Sequence, residues 1–232
     1  MTIRAVIFDL FGTLVYSFVP DVYERSLEEM ADALGVDRGA FRQLWTRDTA
    51  YARITGGFGS IEANLEHICA ALNEVPTAAQ LAEVARIRLA FYRQTLVPRP
   101  DAVSTLRGLK ALGLRLGLIS DCSCEAPQLW PETPFASLID EPVFSCVAGF
   151  KKPDPRLYRL ACERLGVAPQ ECVYVADGYA HELGGASALG MRAVLIAVPG
   201  EAKWGYDQEE AVTWRGPRVA ALSEVVGMVA SV

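Results

Sequence analysis

Apolar and polar positions along this chain change period twice. Val6-Ile7-Phe8 is a short apolar run with β propensity, too brief for a helix, and Gly12 and Thr13 punctuate the stretch behind it. From there to about Leu96 the apolar residues recur at helical spacing. Val22, Leu27, Met30, Ala31 and Leu34 mark one face, closed by Gly35. Asp37 can cap a second helix carrying Phe41, Leu44, Trp45, Tyr51 and Ile54, which ends at Gly56-Gly57. Ser60 opens a third with Ile61, Leu65, Ile68 and Leu72, and Thr77-Ala78-Ala79-Gln80 fits the capping box of a fourth, continued by Leu81, Val84 and Phe91. Val97-Pro98-Arg99-Pro100 reads as a linker.

After Asp101 helices and strands alternate. A helix through Leu106, Leu109 and Leu112 stops at Gly113, and Leu114 to Ile119 reads as a second strand. Phe135 to Asp140 leads into a third, Val143 to Val147; Pro155 to Leu165 is a helix stopped by Gly166. Cys172 to Ala176 and Ala193 to Val198 are a fourth and a fifth strand. Alternation of helices with uniformly apolar strands predicts a doubly wound parallel α/β sheet covered on both faces. The expected division is an α/β core of residues 1–15 and 98–232 with an inserted all-helical bundle, residues 16–97, as a cap. The tail holds Trp204, Tyr206 and Trp214 in polar surroundings, with a strand pair and a last helix near Ala221 to Met228 as its weakest expectations.

A chain of 232 residues, 51% hydrophobic, can bury a sizeable core. Its net charge of −6 argues against nucleic acid or an anionic membrane surface as partner. No apolar run approaches the ~20 residues that span a bilayer. Arg4 and Asp9 interrupt what would have to be a signal peptide's apolar region. Cysteines at 69, 122, 124, 146, 162 and 172 form no CxxC pair, which fits reduced thiols and a cytoplasmic location. Nothing in the pattern reads out an oligomeric state.

Chemistry gathers at the strand ends. Strand one ends in Asp9, which alone could be a turn-capping acid, although a carboxylate is costly to bury without partners. Strand two ends in Ser120-Asp121; the loop after strand three carries Lys151-Lys152-Pro153; strand four ends in Asp177, with Glu182 five residues on. In a parallel sheet these edges converge on one crevice. With Asp9-x-x-x-Thr13, hydrophobic-Ser120-Asp121, Lys152-Pro153 and the acidic pair Asp177 and Glu182 in order, the chain resembles the haloacid dehalogenase-like hydrolases over nearly its whole length.

That resemblance implies roles. Asp9 would be the nucleophile, taking the transferred group as a covalent ester or phosphate. Thr13 and Ser120 would donate hydroxyl hydrogen bonds to that group, with Gly12 and Asp121 beside it, and Lys152 would neutralise Asp9. Mg2+ would be held by Asp9, Asp177 and the Phe11 carbonyl, with Glu182 as a further acid holding a metal-bound water. Lys151 reads as a solvated neighbour.

One position departs from the family's phosphatases, which carry an Asp two residues after the nucleophile where this chain has Phe11. The family's 2-haloacid dehalogenases accept an aromatic there, since halide leaves without a proton. Against dehalogenation, Asp121 stands where those enzymes place an Asn, and clustered carboxylates without a cation raise one another's pKa. The expectation is therefore a Mg2+-dependent phosphatase of a small anionic metabolite, with a metal-free haloacid dehalogenase as the first alternative and an impaired phospho-ligand-binding protein as the second. The cap's complete lack of lysine between 16 and 97 sets aside phosphonoacetaldehyde hydrolase, and the missing acid sets aside sugar phosphomutases. In the cap, Arg47 and Arg53 could clamp an anionic substrate, beside Trp45 and Tyr51, although bundle-core aromatics and solvated arginines remain the plainer alternative. The Gly56-Gly57-Phe58-Gly59 loop is either a specificity loop or a helix break. His181 could replace the missing acid or lie on the surface, and His67 reads as structural.

Overall fold

Six parallel strands in the order β3-β2-β1-β4-β5-β6 form the sheet of the computed structural model, which describes residues 2–199, 201 and 209–230. The first strand, β1 (Ala5–Phe8), lies inside the sheet and is buried along its length. It pairs with β2 (Arg115–Ser120) on one side and β4 (Cys172–Ala176) on the other, so Phe8 sits level with Leu118 and Val175. Two apolar layers follow from this. Val6 and Phe8 face one cluster with Leu106 and Leu109, whereas Ile7 faces another with Leu157 and Leu165. Double-sided burial is why the strands read as apolar runs and not as alternations.

Between β1 and β2 come α1 (Pro20–Leu34), α2 (Arg38–Gln43), α3 (Ala50–Ile54), α4 (Ile61–Ala71), α5 (Ala78–Thr95) and α6 (Ala102–Ala111). Local signals set their ends. Gly35 adopts φ 74° behind α1, Asp37 accepts from Ala40 N, Ser60 accepts from Ala63 N, and Thr77 with Gln80 closes the capping box of α5. The second expected helix is not continuous. A wide π turn over Leu44–Asp48 separates α2 from α3. Its extra residue per turn rotates the face that follows. Arg53 is thereby buried and Tyr51 is 66% exposed, which removes Tyr51 from the bundle core while Trp45 stays fully buried.

Past β2 the chain forms α7 (Glu125–Leu129), β3 (Glu141–Phe144), α8 (Ser145–Ala148), α9 (Pro155–Leu165), α10 (Glu182–Ala188), β5 (Arg192–Ile196), α11 (Glu209–Thr213), β6 (Arg218–Val219) and α12 (Glu224–Ala230). The third strand ends earlier than its apolar run. Ser145 Oγ accepts from Cys122 N and donates to Ile54 O at 2.6 Å, and Ser145 to Ala148 turn into α8. In the tail, α12 covers most of the expected last helix. Among the described residues, the expected strand pair is instead β6 alone, added in parallel to β5. Trp204 and Tyr206 lie outside the described residues. No described helix is long and apolar enough to cross a membrane. All six cysteines are free thiols.

The helical insert leaves and rejoins the sheet at one point. Val15 bridges both Phe11 and Pro98, and Arg99 N donates to Leu14 O at 2.9 Å. The Arg99 side chain, 5% exposed, donates to Gly12 O at 2.8 Å and to Glu201 at 2.7 and 2.8 Å. Arg99 therefore ties the return linker to the loop behind Asp9. Substituting Arg99→Met should cost about 2–3 kcal/mol by stranding that carbonyl and carboxylate; a urea midpoint unchanged from the parent would remove the clamp.

Candidate active site

The carboxyl ends of the inner strands open into a cavity of about 540 Å³ that Asp9, Asp121, Lys152 and Asp177 all line. Asp9 continues β1, its N–H donating to Val175 O at 3.0 Å, so the carboxylate is set by sheet geometry and is only 4% exposed. Lys152 reaches it from the loop after α8. Its Nζ lies 2.6 Å from Asp9 Oδ1 and 2.6 Å from Glu182 Oε2. The lysine is held at its other end too, since its N–H donates to Asp121 Oδ1 at 3.0 Å.

Glu182 is occupied on both oxygens. Oε2 also accepts from Tyr174 OH at 2.8 Å, and Oε1 accepts from Gly178 N at 3.1 Å. It acts geometrically as the second carboxylate of Lys152. Asp177 Oδ1 accepts from Tyr179 N at 3.1 Å.

Four carboxylates thus surround one ammonium. Burial works against the Lys152 charge, but Asp9, Glu182 and Asp121 outweigh it and hold the amine well above its ordinary pKa. Burial pushes the Glu182 carboxyl up, and Asp9 and Asp177 push it further, against the pull of Lys152. Burial also raises Asp121, with Lys152 opposing. Carboxylate oxygens of Asp9, Asp177 and Glu182 lie within 4.8 Å of one another. Such a hard, oxygen-only, anionic set matches what a magnesium ion takes.

The buried polar atoms here are also incomplete. Asp9 Oδ2, Thr13 Oγ1, Ser120 Oγ and Asp121 Oδ2 are buried without a hydrogen-bond partner. Buried polar groups are normally paired. Of these, Asp9 and Asp121 line the cavity, whereas Thr13 and Ser120 lie near them in sequence without lining it. Gly12, expected beside the substrate, is engaged differently.

 

Its N–H donates to Val15 O at 3.0 Å and its carbonyl accepts from Arg99, so neither backbone group is open to a substrate. What Gly12 supplies is space. At φ 85° a Cβ would stand 2.8 Å from Asp177 Cγ and closer still to Oδ2.

Phe11 lines the cavity with its ring 4.7 Å from that of Phe18 and edge-on to Tyr92 at 6.0 Å. Of the cap arginines, Arg47 is exposed and Arg53 is buried, and both line the cavity. Lys151 is half-buried and lines it as well, its Nζ donating to Lys152 O at 3.2 Å, so it is not a solvated bystander. His181 is exposed and does not line the cavity, and His67 stacks near Phe58 at 5.2 Å. The Gly56–Gly59 loop lies apart from the cavity. A Cβ on Gly56 would meet the Cys146 carbonyl, and Gly56, Phe58 and Gly59 line a smaller pocket beside α7 and α8.

Sequence reasoning missed Arg88, Tyr92 and Ser123, which also line the main cavity. The available signal was a charged residue on an apolar helix face, because Arg88 shares its stripe with Val84 and Phe91.

Known proteins resemble this chain over most of its length. Residues 3–190 match the family described as haloacid dehalogenase-like hydrolase. An (S)-2-haloacid dehalogenase of Burkholderia cepacia is 30% identical, covering 84% of this chain and 83% of its own length. A phosphatase of Mycobacterium tuberculosis is 27% identical over 88% of this chain and 92% of its own. A 2-haloacid dehalogenase of Pseudomonas syringae pv. Tomato shares the fold, with a TM-score of 0.71, 23% identity and 99% of each chain covered.

The crowding at Gly12 has a measurable consequence. Gly12→Ala should cost about 2–4 kcal/mol, combining the positive-φ penalty with displacement of Asp177. Gly35→Ala, also at positive φ but with nothing within 4 Å of its Cβ, should cost only about 1 kcal/mol. Equal losses in thermal unfolding would remove the Gly12–Asp177 contact as a constraint.

Proposed function

Because this chain belongs to the haloacid dehalogenase-like hydrolases, we propose that it is a magnesium-dependent phosphatase of small anionic phosphoesters, with residues 16–97 as the cap over its active site. The observation that carries this reading is the surplus of buried carboxylate around Asp9, with Asp9, Asp177 and Glu182 converging within 4.8 Å. One lysine does not balance it, and a divalent cation does.

In this reading Asp9 attacks phosphorus through the carboxylate that Lys152 steadies. The bond from phosphorus to the ester oxygen breaks, and an aspartyl phosphate forms. Water then hydrolyses that intermediate and frees Asp9. Thr13 and Ser120, whose buried hydroxyls have no partner, donate to the phosphoryl oxygens, and Lys152 offsets the charge that develops there. Asp9, Asp177 and the Phe11 carbonyl would hold magnesium, with Glu182 at the margin of the site because Lys152 already occupies it. Magnesium supplies positive charge to the phosphoryl group when bound.

Phe11 has no proton to give a leaving alkoxide. Esters with acidic leaving groups are therefore the better substrates. The same ring supports a second reading, a 2-haloacid dehalogenase, since halide departs unprotonated and Asp9 would carry an ester in place of a phosphate. The relatives of both activities leave the two readings open to a direct test.

p-Nitrophenyl phosphate should be hydrolysed with magnesium and not without it, and Asp9→Asn should abolish turnover while the protein stays folded. Halide release from (S)-2-chloropropionate without metal would overturn the phosphatase reading. Silence of both assays from folded protein would leave ligand binding without turnover.

A more specific result follows from Phe11. Restoring an acid with Phe11→Asp should raise turnover of alkyl phosphates roughly 10²-fold or more, the scale of general acid catalysis. The gain should be much smaller with p-nitrophenyl phosphate, whose leaving group needs no proton. Equal gains on both esters would argue against a leaving-group defect at this position.

A further inference from the structure

The same cavity is also lined by two buried arginines that the chemistry at Asp9 does not use. Arg88, on α5, is 3% exposed and donates through Nε to Glu125 Oε1 on α7 at 2.6 Å. Its Nη1 is buried with no acceptor. Arg53 donates through Nη1 to Trp45 O at 2.9 Å and to Thr49 Oγ1 at 3.1 Å, but no described carboxylate lies within ion-pair distance of it. Both side chains line the cavity that Asp9 lines.

Aromatic rings cover their faces. The Arg53 Cζ stands 4.2 Å from the Trp45 ring centroid, and the Arg88 Cζ stands 4.8 Å from Tyr92 and 5.0 Å from Trp45. Stacked guanidinium groups keep their in-plane N–H edges for an acceptor. Burial draws the Arg53 pKa down, and the neighbouring Arg88 charge draws it down further, the mark of a cation short of counter-charge.

Counting only the buried groups Arg53, Arg88 and Glu125, this wall holds one positive charge in excess, and exposed Arg47 lines the cavity as well. An orphaned donor and one surplus charge, presented edge-on between rings, match a planar monoanion. We propose that Arg53 and Arg88 form a carboxylate receptor, so that the substrate carries a carboxylate besides the group that Asp9 attacks. The receptor rests on the proposed hydrolase reading only for what stands at the other end of the substrate, a phosphoester or a carbon–halogen bond.

Binding to the Asp9→Asn protein separates the receptor from turnover. Calorimetric titration with magnesium should give 2-phosphoglycolate an affinity at least 10-fold above that of 2-hydroxyethyl phosphate, which replaces carboxylate with a neutral alcohol. Arg53→Met should erase the difference. Arg88→Met alone would strand buried Glu125, so the paired Arg88→Met/Glu125→Gln variant is the second probe, and thermal unfolding checks that each remains folded.

Equal binding of the two phosphoesters would overturn the receptor for a phosphorylated substrate, and so would a preference that survives in folded Arg53→Met. Arg53-dependent binding of (S)-2-chloropropionate, with no preference between the phosphoesters, would keep the carboxylate receptor and assign it to a haloacid. Failure of the phosphatase reading looks different: 2-phosphoglycolate would bind through Arg53 while wild-type protein released phosphate from no ester.

Discussion

One buried ammonium holds the active end of this molecule together. Lys152 is 2% exposed and bridges Asp9 to Glu182. Taking any of these charges out of water costs several kcal/mol, and the arrangement stands only because each partner is itself hydrogen-bonded. Asp9 is fixed by β1 and Glu182 by Tyr174 on β4 and Gly178 behind it, while the lysine backbone is fixed by Asp121 at the end of β2. The bridge therefore needs β2, β1 and β4 side by side, which is the order of the inner sheet. A strand exchanged within that order would separate the charges and leave each buried without a partner.

Much of this was legible in the sequence because it depends on short-range rules. Strands buried on both faces are apolar runs, helix ends carry Gly35, Asp37, Ser60 and Thr77, and parallel sheets gather strand-end residues into one crevice. Those rules suffice to bring Asp9, Ser120, Lys152 and Asp177 near one another. They do not give the π turn at Leu44–Asp48, whose single extra residue decides that Arg53 faces in and Tyr51 faces out. Nor do they give the Arg88–Glu125 pair, which joins residues 37 apart and exists only because α5 docks on α7. Gly12 reads as a turn glycine by sequence, yet its close neighbour is Asp177, far along the chain.

Phe11 connects the two ends of the cavity. As a missing acid it is a deficit, since its ring can move no proton. As a surface it is the start of an aromatic wall, with its ring against Phe18 and Tyr92, and Tyr92 in turn against the Arg88 guanidinium. An aspartate at that position would add a further carboxylate to a region that already holds four, and would break the wall beside the arginines. The identity of residue 11 is thus coupled to the electrostatics on both sides of it.

The cavity accordingly gathers surplus charge of both signs. Asp9, Asp121, Asp177 and Glu182 make one end acidic beyond what Lys152 can neutralise, and Arg53 leaves the other end basic beyond what Glu125 can. Each imbalance is costly to bury. A cation at the first end and an anion at the second would discharge both. A ligand that brings an anionic group to each end, with magnesium held by the carboxylates at the first, would meet that requirement with a single small molecule. Under the proposed reading, the charge pattern that is costly to bury is the same pattern that selects the ligand.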